Sequence, residues 1–234
     1  MKLKYLEEIN STNSYCKNNI LNLEDRTVVY TFVQTSGRGR FARQWVNLGK
    51  DNLYLSIVLK PSSVLMPVYS NLTQYTSLIL AQTFMESGVS PKIKWPNDIL
   101  IDSKKISGIL AETVFKNGEL KGIIIGVGIN LNADTKDFLQ IDKPVTSLNL
   151  ELNKAVDKIE FFERFINKFF DSYDLFLKEG FMFIKPKYEQ FIDFLGKEIT
   201  INNLDEKIVG IAKEITNDGA IVINDKKFFT GDIL

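Results

Sequence analysis

The sequence predicts an α/β fold of the α+β kind: a mixed β-sheet packed by helices, then a small C-terminal β-barrel. Three observations carry this. Short strand-like runs bounded by Pro, Asn, Asp or Gly dominate residues 27 to 130, interrupted by one apolar segment of helical spacing. Between Lys158 and Tyr188 apolar and aromatic residues recur as one broad helix face requires. From about Phe191 the pattern changes to short alternating strands. The 234 residues can bury a substantial core, and the change of pattern divides them into 1–190 and an appendage, 191–234.

Each element has a local reason. Ser11, Thr12 and Asn13 are good helix N-cap types, so Ser14 to Leu23 reads as a short helix. Thr27 to Val33 reads as a strand leading into a loop rich in Gly and Arg, and Asn52 to Leu59 as an apolar strand. Val68 to Ser87 has near-helical spacing and stops at Gly88. Lys92 to Trp95, Ile99 to Ile101, Ile106 to Glu112 and Gly122 to Asn130 read as sheet strands. In the helix after Lys158, Ile159, Phe162, Phe165, Ile166, Phe169, Phe170, Tyr173 and Phe176 form the face to be buried. Glu198 to Ile201, Lys207 to Ile215, an Asn217-Asp218-Gly219 turn, Ala220 to Ile223 and Lys227 to Thr230 supply the barrel.

Composition narrows the chemistry. Lys+Arg and Asp+Glu both number 29, so no global charge favours nucleic acid or an anionic membrane, and any polyanion site is local. The chain contains no histidine, which removes Ser-His-Asp triads, Cys-His pairs and imidazole-dependent zinc sites. One cysteine, Cys16, permits no internal disulfide and fits a reducing compartment, the cytoplasm. The acidic N-terminal stretch is unlike a signal peptide, and the apolar run Gly122 to Leu131 is too short to span a bilayer.

The loop "TSGRGRFARQW", residues 35 to 45, is the strongest chemical feature. Gly37, Gly39 and Ala42 match the dinucleotide pattern G-x-G-x-x-G/A, but that pattern opens a helix and this segment runs into another strand. Arg38, Arg40 and Arg43 present guanidinium forks suited to carboxylate and phosphate, the glycines admit a close ligand, and Trp45 offers a stacking face. In "KWPNDILIDSKKISGILAE", residues 94 to 112, two strands aim lysines at one region, with Lys105 a cation and Gly108 leaving space. Asn97 and Asp98 offer oxygens for magnesium or ribose, although turn chemistry explains them equally well. Gly126-Val-Gly128-Ile-Asn130 allows close ligand approach or tight β-packing.

Together, Ser11-Thr-Asn13, the run Gln34 to Trp45, Lys94 to Asp98 with Lys105-Ile-Ser-Gly108, and Gly126 to Asn130 resemble the motifs of the biotin protein ligases, from about residue 5 to the end. The resemblance implies a catalytic domain similar to class II aminoacyl-tRNA synthetases, with an SH3-like barrel after it. It implies two half-reactions: biotin and MgATP yield biotinyl-5′-adenylate and pyrophosphate, and a lysine of the biotin carboxyl carrier protein, as in acetyl-CoA carboxylase, takes the biotinyl group. By resemblance, Ser11, Thr12, Asn13, Gln34, Gly37, Arg38, Gly39, Arg40, Lys105 and Gly108 hold biotin. Arg40, Arg43, Trp45, Lys94, Asn97, Asp98 and Asn130 serve ATP, Asp98 is the candidate magnesium ligand, and Lys105 and Arg40 carry catalysis. Relatives with an N-terminal DNA-binding domain double as repressors; here the motifs begin at Ser11, so the expectation is a ligase without nucleic-acid binding. A homodimer through the central sheet is the assembly the resemblance implies.

Two other readings compete. Lipoate and octanoate ligases or transferases resemble this fold, but they call for a histidine, and the transferase also for a cysteine nucleophile; Cys16 reads instead as a buried small hydrophobe. A non-catalytic biotin or nucleotide binder has no need of Lys105 together with Arg40.

Overall fold

The computed structural model describes residues 1–61, 67–203 and 206–234. In chain order the first half forms β1 (Lys2–Tyr5), α1 (Thr12–Asn18), β2 (Thr27–Thr31), β3 (Gly37–Arg38), β4 (Gln44–Trp45), β5 (Leu53–Leu59), α2 (Leu72–Glu86), β6 (Pro91–Lys94) and β7 (Asp98–Ile101). The second half forms β8 (Lys104–Lys116), β9 (Glu119–Ile129), α3 (Leu148–Leu152), α4 (Lys158–Glu179) and α5 (Phe181–Tyr188). The C-terminal strands are β10 (Glu198–Asn203), β11 (Glu206–Ile215), β12 (Ile221–Ile223), β13 (Lys226–Phe228) and β14 (Asp232–Ile233). Two compact units result, each discontinuous in sequence: the described residues of 1–66 and 101–163, and those of 67–100 and 164–234.

The first unit contains a mixed sheet. β1 runs parallel to β2, pairing Lys2 with Thr27 and Tyr5 with Tyr30, while β2–β5, β5–β9 and β9–β8 are antiparallel. β5 is buried along its whole length, which is why it reads as an apolar run and not as an alternating strand. β8 and β9 are joined at Asn117-Gly118, both at positive φ (54° and 78°), the conformation that two-residue hairpins favour. α1 and the turn after it pack on the sheet through Cys16 and Ile20, which meet Leu23, Val29, Val58, Val114 and Ile124 in one apolar cluster. Burial there pushes the Cys16 thiol up to about 12 despite a hydrogen bond with Ser56, so it behaves as a small apolar group.

The second unit is built on α2, whose residues from Leu72 to Phe84 are nearly all buried. Thr76 and Thr83 hydroxyls donate to the carbonyls of Leu72 and Ile79, satisfying polar groups that burial would otherwise strand. Tyr75 stacks on Phe176 at 4.4 Å, and its hydroxyl meets the Phe169 carbonyl and Ser172. The C-terminal strands form a five-stranded antiparallel sheet in the order β13-β12-β11-β10-β14. Its Asp218-Gly219 turn docks on the start of α2: Asn71 Nδ2 donates to Asp218 O at 3.0 Å and Gln74 Nε2 to Gly219 O at 2.8 Å.

The long C-terminal helix differs from the sequence expectation in one respect. It is not continuous from Lys158 to Tyr188, because Gly180 adopts φ 71° and separates α4 from α5. Periodicity survives such a break, since a single residue at positive φ changes the helix direction without disturbing the spacing of apolar residues. Phe161 joins the buried face, while Ile159, expected on it, is 44% exposed near the first turn of α4.

Candidate functional site

In the first unit, two chain segments run side by side at one end of the sheet. Ile9 and Gln34 form a parallel bridge, and Thr35 and Ser36 N–H groups donate to the carbonyls of Ile9 and Asn10. This places the start of α1 against the entry to the glycine-arginine loop. Ser11 is the N-cap of α1, its Oγ accepting from Ser14 N–H, and Gln34 Oε1 accepts from Thr12 N–H at 2.9 Å and from Thr12 Oγ1 at 3.3 Å. Ser56, a polar residue inside the apolar β5, donates between Asn13 Oδ1 at 2.6 Å and Thr12 Oγ1 at 2.8 Å. Ser11, Thr12, Asn13, Gln34 and Ser56 are all buried, so their polar groups are set by one another and not by solvent.

The network continues to β8. Asn13 Nδ2 donates to Glu112 Oε2 at 3.0 Å and to Leu110 O at 3.4 Å. The Arg38 guanidinium approaches the same carboxylate in a fork, Nη2 to Oε1 at 3.0 Å and Nη1 to Oε2 at 3.4 Å. Gly126 lies directly beneath Asn13: a Cβ there would fall 2.1 Å from Asn13 Oδ1. Close packing is therefore the reason for that glycine.

The loop itself folds as a small hairpin. Gly37 pairs with Trp45 and Arg38 with Gln44 across β3 and β4, and Gly39 N–H donates to Arg43 O at 2.8 Å. Between them lies a single 3-10 turn at Arg40–Ala42, in which Phe41 takes φ 53°. A turn that returns at once into a strand is incompatible with the helix a dinucleotide fingerprint opens, which bears out the reading made from context. The Arg40 and Arg43 guanidinium groups lie 5.0 and 5.6 Å from the Phe41 ring centroid, and Phe41 is itself half-exposed.

Trp45 is carried inward by β4 onto a floor of glycine. Gly108 and Gly128 are register partners on β8 and β9, and a Cβ on either would lie 2.7 or 2.6 Å from the indole. The Lys105 ammonium stands 5.3 Å from the centroid of the Trp45 ring and close to the space above Gly108. Two buried polar atoms in this region have no hydrogen-bond partner, Trp45 Nε1 and Asn130 Oδ1, whereas Asn130 Nδ2 donates to Thr146 O at 3.0 Å. The segment after β9 folds back over β8, since Lys105 N–H donates to Pro144 O and Thr146 N–H to Lys105 O. Glu151 secures it, accepting from Lys104 Nζ and Thr146 Oγ1, each at 2.5 Å.

The structure thus brings Ser11, Thr12, Asn13, Gln34, Gly37 and Arg38 into one polar network or its margin, and Trp45, Lys105, Gly108 and Asn130 into a neighbouring group on the same sheet. Gly39, Arg40 and Arg43 lie in the turn between the hairpin strands. Lys94, Asn97 and Asp98 belong to the second unit, at the β6–β7 turn that contains a cis Trp95–Pro96 peptide. There Asn97 Nδ2 donates to Asp98 Oδ1 at 3.0 Å, and Trp95 is buried. Among the described residues no group of three His, Cys, Asp or Glu side chains could hold a metal. An open cavity of about 410 Å³ lies elsewhere on the first unit, between Asn47–Gly49 and Lys136–Gln140, and none of the expected ligand residues lines it. Ser56 and Glu112 are the members of the site that the sequence reading missed; the lone polar residue in an otherwise apolar strand is the signal for the first.

Comparison with known proteins matches residues 5–130, just over half of the chain, to the biotin/lipoate A/B protein ligase family. The bifunctional ligase/repressor BirA of Bacillus subtilis is 30% identical over 218 residues, covering 91% of this chain and 67% of that protein. The biotin–[acetyl-CoA-carboxylase] ligase of Paracoccus denitrificans is 27% identical over 232 residues, covering 93% and 92%. Among solved structures, the biotin protein ligase of Aquifex aeolicus in complex with biotin and ATP superposes with a TM-score of 0.83 at 26% identity, covering 100% of this chain and 97% of that one.

Proposed function

The chain belongs to the biotin/lipoate A/B protein ligase family, and from that premise we propose that it is an ATP-dependent biotin protein ligase. Family membership leaves biotin and lipoate both open. The observation that favours biotin is the polar network of buried Thr12, Asn13, Gln34 and Ser56 with Glu112 and the more exposed Arg38 at its margin: a cyclic urea needs several fixed donors and acceptors, whereas a dithiolane needs an apolar wall. Relatives named for ligation to acetyl-CoA carboxylase, and a neighbour holding biotin and ATP, support the same choice.

In the first step a carboxylate oxygen of biotin attacks the α-phosphorus of ATP. The bond to the bridging oxygen breaks, pyrophosphate leaves, and a mixed carboxylic-phosphoric anhydride remains. The obstacle is electrostatic, because two anions must meet, so fixed cations rather than a proton shuttle do the work. Lys105 is assigned to the biotin carboxylate and then to the α-phosphate, and Arg40 to the adenylate as its turn closes over it. Ser11, Thr12, Gln34, Gly37 and Arg38 are assigned to the urea end, and Gly108 to the pocket wall beside Lys105. Trp45 and Arg43 are assigned to the nucleotide, together with Asn130, whose buried amide oxygen offers an acceptor for an amino group. The nucleotide roles of Lys94, Asn97 and Asp98 rest on the motif alone, and magnesium is written as part of the nucleotide substrate.

In the second step the neutral amine of a carrier-protein lysine attacks the acyl carbon. The acyl–oxygen bond breaks, AMP leaves with its electron pair, the amide forms, and the amine loses a proton to solvent. The biotin carboxyl carrier protein is the acceptor this reading requires. Ligase chemistry is assigned to 1–190, with 191–234 as an appended β unit. The test is pyrophosphate exchange with MgATP, offering biotin and lipoate separately to the purified protein. Exchange with biotin is expected; exchange with lipoate alone, or with neither, would sink the reading.

A further inference from the structure

Glu112 lies on β8 four residues beyond Gly108, on the same side of the strand, and nothing in the proposed chemistry has yet used it. Its side chain is only 16% exposed, yet it accepts hydrogen bonds from residues 99 and 74 positions away in sequence. A carboxylate so placed is retained where it is paired, and here both oxygens are engaged by Arg38.

The consequences for its partners differ. Asn13 spends both N–H groups on Glu112 and Leu110, and its oxygen takes the Ser56 hydroxyl, so its amide orientation is locked and its donors are used up. Arg38 has five donors and gives two of them to Glu112, which leaves the others aimed by the fork. The Glu112 carboxylate offsets its charge at close range, while the Lys17 ammonium stands farther off, 4.0 Å from Glu112 Oε1. The urea end of the pocket therefore carries oriented donors whose positive charge is reduced, and Lys105 lies at the separate site over Gly108. A ligand with a neutral urea at one end and a carboxylate at the other is then bound in one direction only.

We propose that Glu112 is a positioning residue for biotin recognition: it fixes the guanidinium of Arg38, and offsets its charge, so that Arg38 reads the urea and competes less with Lys105 for the carboxylate. This rests on the biotin ligase reading and adds to it the residue that sets ligand orientation. Asn13, by the same geometry, supports the network and is not itself a ligand donor.

The test is a set of steady-state pyrophosphate-exchange measurements on the parent, Glu112→Gln, Arg38→Ala and the double variant, with biotin and ATP varied separately. Glu112→Gln is expected to raise KM for biotin roughly 10- to 100-fold, the range for losing a charged hydrogen bond, while kcat and KM for ATP stay near the parent. The double variant should be no worse than Arg38→Ala, because Glu112 acts through Arg38. Arg38→Lys, which keeps the charge but cannot form the fork, should show the same rise without any change at Glu112, and it serves if the Gln variant melts early. A parent with no biotin-dependent exchange would refute the ligase reading and, with it, the role of Glu112 that rests on it; the outcomes that follow overturn that role alone. Parent-like KM for biotin in both single-site probes, a loss confined to kcat, or additive effects in the double variant would overturn the proposal.

Discussion

Lys105 shows how a single residue is set for its task by backbone and not by side chain. Its N–H and C=O are both tied to the segment that follows β9, through Pro144 and Thr146, so the start of β8 cannot swing and the ammonium is delivered beside the Trp45 ring. Replacing Lys105 with Ala should lower biotin-dependent pyrophosphate exchange about 10²- to 10³-fold, the scale for one transition-state electrostatic contact, with the melting temperature little changed. Exchange at the parent rate would remove Lys105 from the mechanism. Lys105 was legible in sequence because a lysine followed three residues on by glycine is a local pattern. Glu112 was not, since a glutamate at a strand position reads as a solvated face until its partners 74 and 99 residues away are known.

At the scale of elements, the hairpin of β3 and β4 and the glycine pair on β8 and β9 form a matched set. The indole of Trp45 can lie on the sheet only because Gly108 and Gly128 are opposite one another in register and both lack a Cβ. Gly128→Ala should therefore lift the indole and cost about 1–3 kcal/mol in stability, as overpacking does, with a red shift in tryptophan emission. Trp95, the other tryptophan, is 2% exposed and gives a constant background. Unchanged stability and emission in that variant would show that the indole does not rest there. From sequence, the glycines near 126 left close packing and ligand approach undecided; register decides for packing, under Asn13 at Gly126 and under Trp45 at Gly128. The helical face from Lys158 was legible through its period, and the break at Gly180 was not, because a φ of 71° leaves no trace in apolar spacing.

At the scale of the molecule, stability depends on groups that hold distant segments together. Glu151 is one. Burial pushes its carboxyl up, but hydrogen bonds from Lys104 and Thr146 and the charge of Lys104 outweigh this and hold it below the ordinary carboxylate value of 4.5. A depressed pKa contributes stability that is complete above the unfolded value and is lost as pH falls through the folded one. Urea midpoints of the parent should therefore fall more steeply, as pH drops below the ordinary carboxylate value of 4.5, than those of Glu151→Gln, which should start lower at neutral pH. Parallel curves would mean that this pair contributes nothing to the acid limb.

The chain by itself determined the fold class, the helix cap at Ser11, the turn residues, the order of the ligand motifs and the absence of imidazole chemistry, because each is local in sequence or a matter of composition. No described helix is long and apolar enough to cross a membrane. Only the tertiary structure decided that the compact units are discontinuous, that Asn13 is locked and not free, that Arg38 is paired with Glu112, and that Trp45 rests on two facing glycines. The physical reason is that strand register and chain return bring together residues tens of positions apart, and a side chain's hydrogen-bond partners, and hence its charge state and direction, are properties of that pairing.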